Sequence, residues 1–339
     1  MIFKNAIGRI GTYIPIDLMY KISGTSIFIP YYHMVSDQDV VHVKHLYRYK
    51  DVKFFKSDIE YYCNNHTIVT LLDIIKHLYN DIKLPRKPLL LTFDDGFREM
   101  HEIVFPILKQ KGVQAVFFIN PNFIDNKDMC YLNKASIIVE KLNQCINNRL
   151  LLKIKDILCI SRGNDLNVKG IILTIKYADR HLIDEIANVL EYDFFDYLKS
   201  VKPYLTSKQI TDMISCGYEI GAHSLDHPLY YDIPISEQVR QTIESMKIIK
   251  QMFNINYGAF SFPHNDRYVS SKFFNEIYSS QVIDLTFGTD GFLKDAIKYN
   301  LQRINVERSL MTPKRVFAMR LLRKIYNNIT NTAIIERKS

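Results

Sequence analysis

The chain has 339 residues, 47% of them hydrophobic, which suffices for one large α/β core and excludes a disordered chain. Its net charge of +8 is spread along the sequence without a basic run tied to a recognition motif, so no nucleic-acid partner is expected. Five cysteines, Cys63, Cys130, Cys145, Cys159 and Cys216, lack metal-type spacing and point to reduced thiols, not a disulfide framework.

In chain order, the N-terminus mixes apolar residues with Lys4, Arg9, Asp17 and Lys21, and so lacks the apolar centre and cleavage site of a signal peptide. No run of about 18 uninterrupted apolar residues exists, so no transmembrane span is expected. These features predict a cytoplasmic protein, with peripheral membrane contact through its amphipathic ends. Ile27 to His33 reads as a first strand and Leu71 to Tyr79 as a helix. Pro88 opens a strand from Leu89 to Phe93. A helix from Arg98 to Lys111 follows, stopped by Gly112, and then a strand from Val113 to Ile119. A unit of this length is a right-handed parallel crossover.

Residues 125–205 exceed an ordinary connection and should carry their own secondary structure. A helix near Ala135 to Asn147, a strand-like Leu150 to Ile160 and a helix near Asp179 to Leu198 are predicted there, forming a largely helical insertion beside the cleft. Thr206 to Gln209 starts a capped helix ending near Gly217, and Tyr218 to Ala222 is a strand. Helix Ser236 to Phe253, strand Tyr257 to Phe262, helix Ser270 to Tyr278 and strand Val282 to Phe287 complete the alternation. The whole chain, 1–339, reads as a single α/β domain, a distorted or incomplete (β/α) barrel, with a basic helix and tail at 313–339.

Two motifs carry the chemistry. Thr92-Phe93-Asp94-Asp95-Gly96 ends the apolar run Leu89 to Leu91, and His223-Ser224-Leu225-Asp226-His227-Pro228 follows the strand ending at Ala222. Asp-Asp-Gly alone reads most simply as a turn, and a His-x-x-x-His pair is often structural. Both here sit at strand C-termini, where α/β folds collect active groups. Neighbouring side chains on an extended segment diverge, so one carboxylate can serve a metal and the other a proton. A carboxylate with two imidazoles suits a borderline divalent ion such as zinc and leaves positions open for water and substrate. The same donors also serve iron oxygenases, but the βα alternation argues against the β-rich fold expected there.

Together the TFDDG and HSxxHP motifs resemble those of the polysaccharide deacetylase family, the NodB-homology or carbohydrate esterase family 4 domain, over residues 27–123 and 206–306. The resemblance implies a barrel of that type and a metal-dependent deacetylase acting on an N-acetylated sugar or glycan, possessing Asp95, His223 and His227 as metal ligands and Asp94 as general base. Many members take their general acid from a C-terminal Leu-x-His motif, and Leu301 to Val306 has no histidine. Tyr31-Tyr32-His33 instead resembles the Tyr-His element of the subgroup that de-N-acetylates poly-N-acetylglucosamine, which makes His33 the candidate acid and His264 its rival. Phe260 to Asn265 resembles the family's Phe-x-Tyr-Pro groove element, which puts Pro263 and His264 at the substrate together with Arg303; Arg303 is also suited to orient Asp94 through a charge-assisted bond. A non-catalytic metal- and glycan-binding protein on the same fold is the alternative, motivated by the missing C-terminal histidine.

Overall fold

The computed structural model describes residues 15–24, 27–144, 147–160, 167–307, 311–330, 332 and 334–338. The expectations resting on the first 14 residues and on Cys145 fall outside them; the other four cysteines are free thiols. Eight parallel strands form the main sheet: β1 (Pro30–Tyr32), β2 (Thr92–Phe93), β3 (Val116–Ile119), β4 (Glu219–Ala222), β5 (Ala259–Ser261), β6 (Leu285–Gly288), β7 (Asn300–Gln302) and β8 (Ile304–Asn305). Their order is β7-β6-β5-β4-β3-β2-β1-β8. The two outer strands are separated in sequence by Arg303 alone. Its N–H donates to Gly288 O at 3.1 Å on one side, and the N–H of Ile304 donates to Ile29 O at 2.8 Å on the other. One extended segment therefore bonds to both edges and draws the sheet into the distorted (β/α) barrel that the sequence implies.

The strands are buried on both faces, as parallel strands covered by helices require. Alternate residues divide the two faces. Ile29, Leu90, Val116, Phe118, Ala259 and Phe287 pack together in one cluster with helix Leu71–Asn80. The first amides of that helix, on Leu71 and Leu72, donate to the Glu219 carboxylate at the start of β4, which places the helix at the barrel end opposite the strand C-termini. Phe93, Phe117, Ile220 and Phe260 belong to the larger cluster formed with the surrounding helices.

Three expectations need correction. The segment expected as a strand, Leu150 to Ile160, is the helix Asn148–Ile157, started by the Asn147 side chain accepting from Leu150 N at 2.9 Å. The helix expected over Arg98 to Lys111 is a π-helical turn, Met100–Val104, followed by an α-helix, Phe105–Lys111. Pro106 cannot donate a backbone hydrogen bond, which disrupts the ladder at that point. The helix expected over Asp179 to Leu198 is broken into His181–Val189 and Phe194–Val201, because Glu191 takes a left-handed conformation and Asp193 caps the second piece. The insertion also contains Tyr131–Gln144 and forms a separate apolar cluster around Ile138, Ile154, Ile172 and Ile186.

At the C-terminal end, helix Pro313–Ile329 packs Val316, Phe317 and Leu321 into the barrel's outer cluster. Beyond it, Ile334–Ile335 pairs with Lys294–Asp295. None of the described helices is long and apolar enough to cross a membrane.

Candidate active site

The site forms where β2 and β4 end. Asp94 continues the line of β2 and is almost fully buried, whereas the chain turns at Asp95 (φ 71°) and Gly96 (φ 67°). A Cβ on Gly96 would stand 2.8 Å from Ile119 Cγ2, so the turn passes β3 only because this residue has no side chain. After β4, the His223 ring donates from Nδ1 to the Ser261 carbonyl at 2.8 Å, which fixes the tautomer and leaves the Nε2 lone pair free. Ser224 Oγ accepts from His227 N at 2.9 Å, and Ser224 and His227 both have positive φ, 67° each. Asn120, just past β3, donates to the carbonyls of His223 and Ser224.

These loops bring Asp95, His223 and His227 together. His223 Nε2 lies 3.4 Å and His227 Nε2 3.2 Å from Asp95 Oδ1, and one donor atom from each residue falls within 4.8 Å of the others. Asp95 Oδ1 and His223 Nε2 are buried without a hydrogen-bond partner among the described residues. Converging lone pairs left unsatisfied in a buried place fit a divalent ion, and the three residues could hold one.

Asp94 is not one of these donors and is bonded to Arg303. The guanidinium grips it bidentately, Nη1 to Oδ1 at 2.8 Å and Nη2 to Oδ2 at 2.7 Å, and also reaches Ser261 Oγ at 2.6 Å and Thr92 Oγ1 at 3.2 Å. Burial alone would raise the Asp94 carboxyl, but Arg303, with His223, holds it below its ordinary value. Arg303 is fully buried beneath the Tyr31 ring, 4.6 Å away, so it positions Asp94 and does not reach into the cavity as a substrate contact. Arg303→Met should lower stability by about 3–5 kcal/mol, because Asp94 would stay buried without its partner. Chemical denaturation measures this; a loss under about 1 kcal/mol would mean that backbone pairing alone holds the seam.

His33 follows β1. Its Nδ1 is bonded to one oxygen of Glu307, whose other oxygen accepts from the N–H groups of His33, at 2.6 Å, and Met34, at 3.2 Å. Burial pushes the imidazole down, yet Glu307, with Asp95 and Asp94 beyond it, raises it to about 9. Glu307 was not anticipated from the sequence. The available signal is its spacing: Arg303, Asn305 and Glu307 alternate along one extended segment and so share a face.

His33, Asp95, His227 and His264 line one cavity of about 500 Å³, with Asp94 and His223 buried behind that lining. The insertion contributes Tyr131, Leu173 and Lys176 to its wall, and Tyr177 donates to Asp226 in the histidine loop at 2.6 Å. The His264 ring stands 4.6 Å from that of His227. Unlike His33, it has no carboxylate bonded to it among the described residues. Pro263 is buried and does not line this cavity; it sits in the bend that precedes His264.

The family described as polysaccharide deacetylase matches residues 81–276. No curated protein matches by sequence. Among solved structures, the chain is similar to the Streptococcus pyogenes deacetylase PplD at 15% identity, covering 88% of this chain and 97% of that one with a TM-score of 0.55. IcaB from Ammonifex degensii is 17% identical, with 88% and 98% covered and a TM-score of 0.51. A de-N-acetylase from Aggregatibacter actinomycetemcomitans is 15% identical, with 85% and 97% covered and a TM-score of 0.51. At these identities the likeness is one of fold.

Proposed function

Because the chain belongs to the polysaccharide deacetylase family, hydrolases that act on N-acetyl amide bonds, we propose that it removes N-acetyl groups from a sugar or glycan with a zinc ion held by Asp95, His223 and His227. One observation carries the reading. Asp94, bonded bidentately to Arg303, adjoins Asp95 in the chain, and His33, bonded to Glu307, lines the same cavity as Asp95 and His227.

A bound ion supplies Lewis acidity toward the acetyl carbonyl and an acidified water. Asp94 takes the proton of that water as its oxygen bonds to the acetyl carbon. Arg303 keeps the Asp94 carboxylate aimed and ionised. His33 gives its proton to the nitrogen as the carbon–nitrogen bond breaks, so the products are acetate and a free amine. The insertion, 125–205, sets which sugar enters, through the wall residues Tyr131, Leu173 and Lys176.

Acetate release from N-acetylated saccharides, with the ion stripped by chelator and restored as zinc, tests the reading. Release that depends on the ion is expected; none from N-acetylglucosamine oligomers under any restored divalent ion would overturn it. The His33 role predicts a pH profile. The imidazole is a proton donor only while charged, so kcat/KM should hold through neutral pH and fall as pH rises through about 9. Glu307→Gln removes the strongest of the raising carboxylates while burial remains, so the fall should move to lower pH. Activity still climbing above pH 9 would remove His33 from the acid role.

A further inference from the structure

Tyr31 and His264 are shared between the cavity described above and a second, larger hollow of about 980 Å³. Helix Pro313–Ile329 provides one wall, with Val316, Met319, Arg320, Arg323 and Tyr326 turned toward the space. Positions 316, 319, 320 and 323 fall on one face of a helix, so this wall follows from the sequence spacing.

The charges of the hollow are unbalanced. Arg267, on the barrel side, is fully engaged with Asp290 at 2.7 Å. Arg320 and Arg323 make no hydrogen bond or ion pair among the described residues. Arg320 is half-buried, and its guanidinium is held below its ordinary value by burial and by the neighbouring Arg323. Two guanidiniums that repel each other along one wall of a concavity, whose lining carboxylate, Asp290, is bonded to Arg267, are a complement waiting for an anion.

We propose that this hollow is an anion subsite: the glycan deacetylated here bears a phosphate group close to the reacting sugar, and Arg320 and Arg323 bind it. The proposal rests on the deacetylase reading. Phosphate fits better than a carboxylate because its several oxygens can accept from two guanidinium forks at once. The shared walls at Tyr31 and His264 put that group one cavity away from Asp95 and His227.

The test compares binding of N-acetylglucosamine 1-phosphate and N-acetylglucosamine to the zinc-loaded full chain by calorimetry. The phosphorylated sugar should bind at least about tenfold more tightly. The gap should close in the Arg320→Gln/Arg323→Gln protein, whose folding is checked by circular dichroism; Arg320→Lys/Arg323→Lys keeps the charge and should restore part of it. Equal affinities in the unaltered chain, or a gap that survives the double glutamine change, would overturn the proposal. Vesicles of phosphatidylcholine with phosphatidylglycerol separate the other phosphate source: flotation lost in the glutamine variant, without a sugar gap, would assign the arginines to a lipid surface and also overturn it. Binding requires no turnover, so the two readings fail separately. A gap without acetate release rejects the deacetylase reading, and acetate release without a gap rejects only the subsite.

Discussion

Asp94→Asn should lower turnover by about a thousandfold, within the range that removal of a general base produces, while the protein still takes up its divalent ion. Asparagine keeps the shape of aspartate and one acceptor for Arg303, but it cannot take a proton from water. The converging donor atoms are untouched, since Asp94 is bonded to Arg303 and those atoms belong to Asp95, His223 and His227. The change also strands the Arg303 charge in the interior, so some stability is lost. Turnover must therefore be expressed per folded, ion-bound chain, by combining acetate release with metal analysis of the same sample. Near-normal turnover per bound ion would show that another group takes the proton.

Asp95→Asn should have its largest effect on the ion. The Asp95 carboxylate is the only anionic donor among the three converging residues, and replacing it with a neutral amide should weaken affinity by about 100-fold or more. Activity should fall at limiting zinc and recover in part at high zinc, which Asp94→Asn should not do. Competition with a chromogenic chelator gives the affinity directly. Equal occupancies for the Asn variants at positions 94 and 95 would contradict the division of roles between the two neighbours. The backbone supports that division: Asp95 is left-handed directly after Asp94, and the two side chains meet different partners.

Much of this arrangement was legible in the sequence, because apolar runs closed by Gly and Pro mark βα units and because the two motifs sit at strand ends. Asp95, His223 and His227 meet as their motifs imply, and Arg303 reaches Asp94 across the barrel. What the sequence hid has physical causes. In Leu150 to Ile160 the branched and lysine residues mimic alternation, yet the helix Asn148–Ile157 buries the adjacent Ile154 and Lys155, and Asn147 provides its cap. Helix Val52–Asn65 drew no expectation because its aromatic and asparagine residues are weak helix formers, although Phe55, Ile59 and Tyr62 share a buried face. Glu307 belongs to no motif, and its pairing with His33 exists only after closure of the barrel.

The position of Arg303 carries a consequence for the order in which the protein is made. Asp95, His223 and His227 all leave the ribosome before Arg303 does, and none of them lies on the two strands that the Arg303 segment joins. A nascent chain with an open seam can therefore bring Asp95, His223 and His227 together while Asp94 still lacks its guanidinium and His33 still lacks Glu307. The pairings of Asp94 with Arg303 and of His33 with Glu307 are thus the last parts of the site that synthesis can supply.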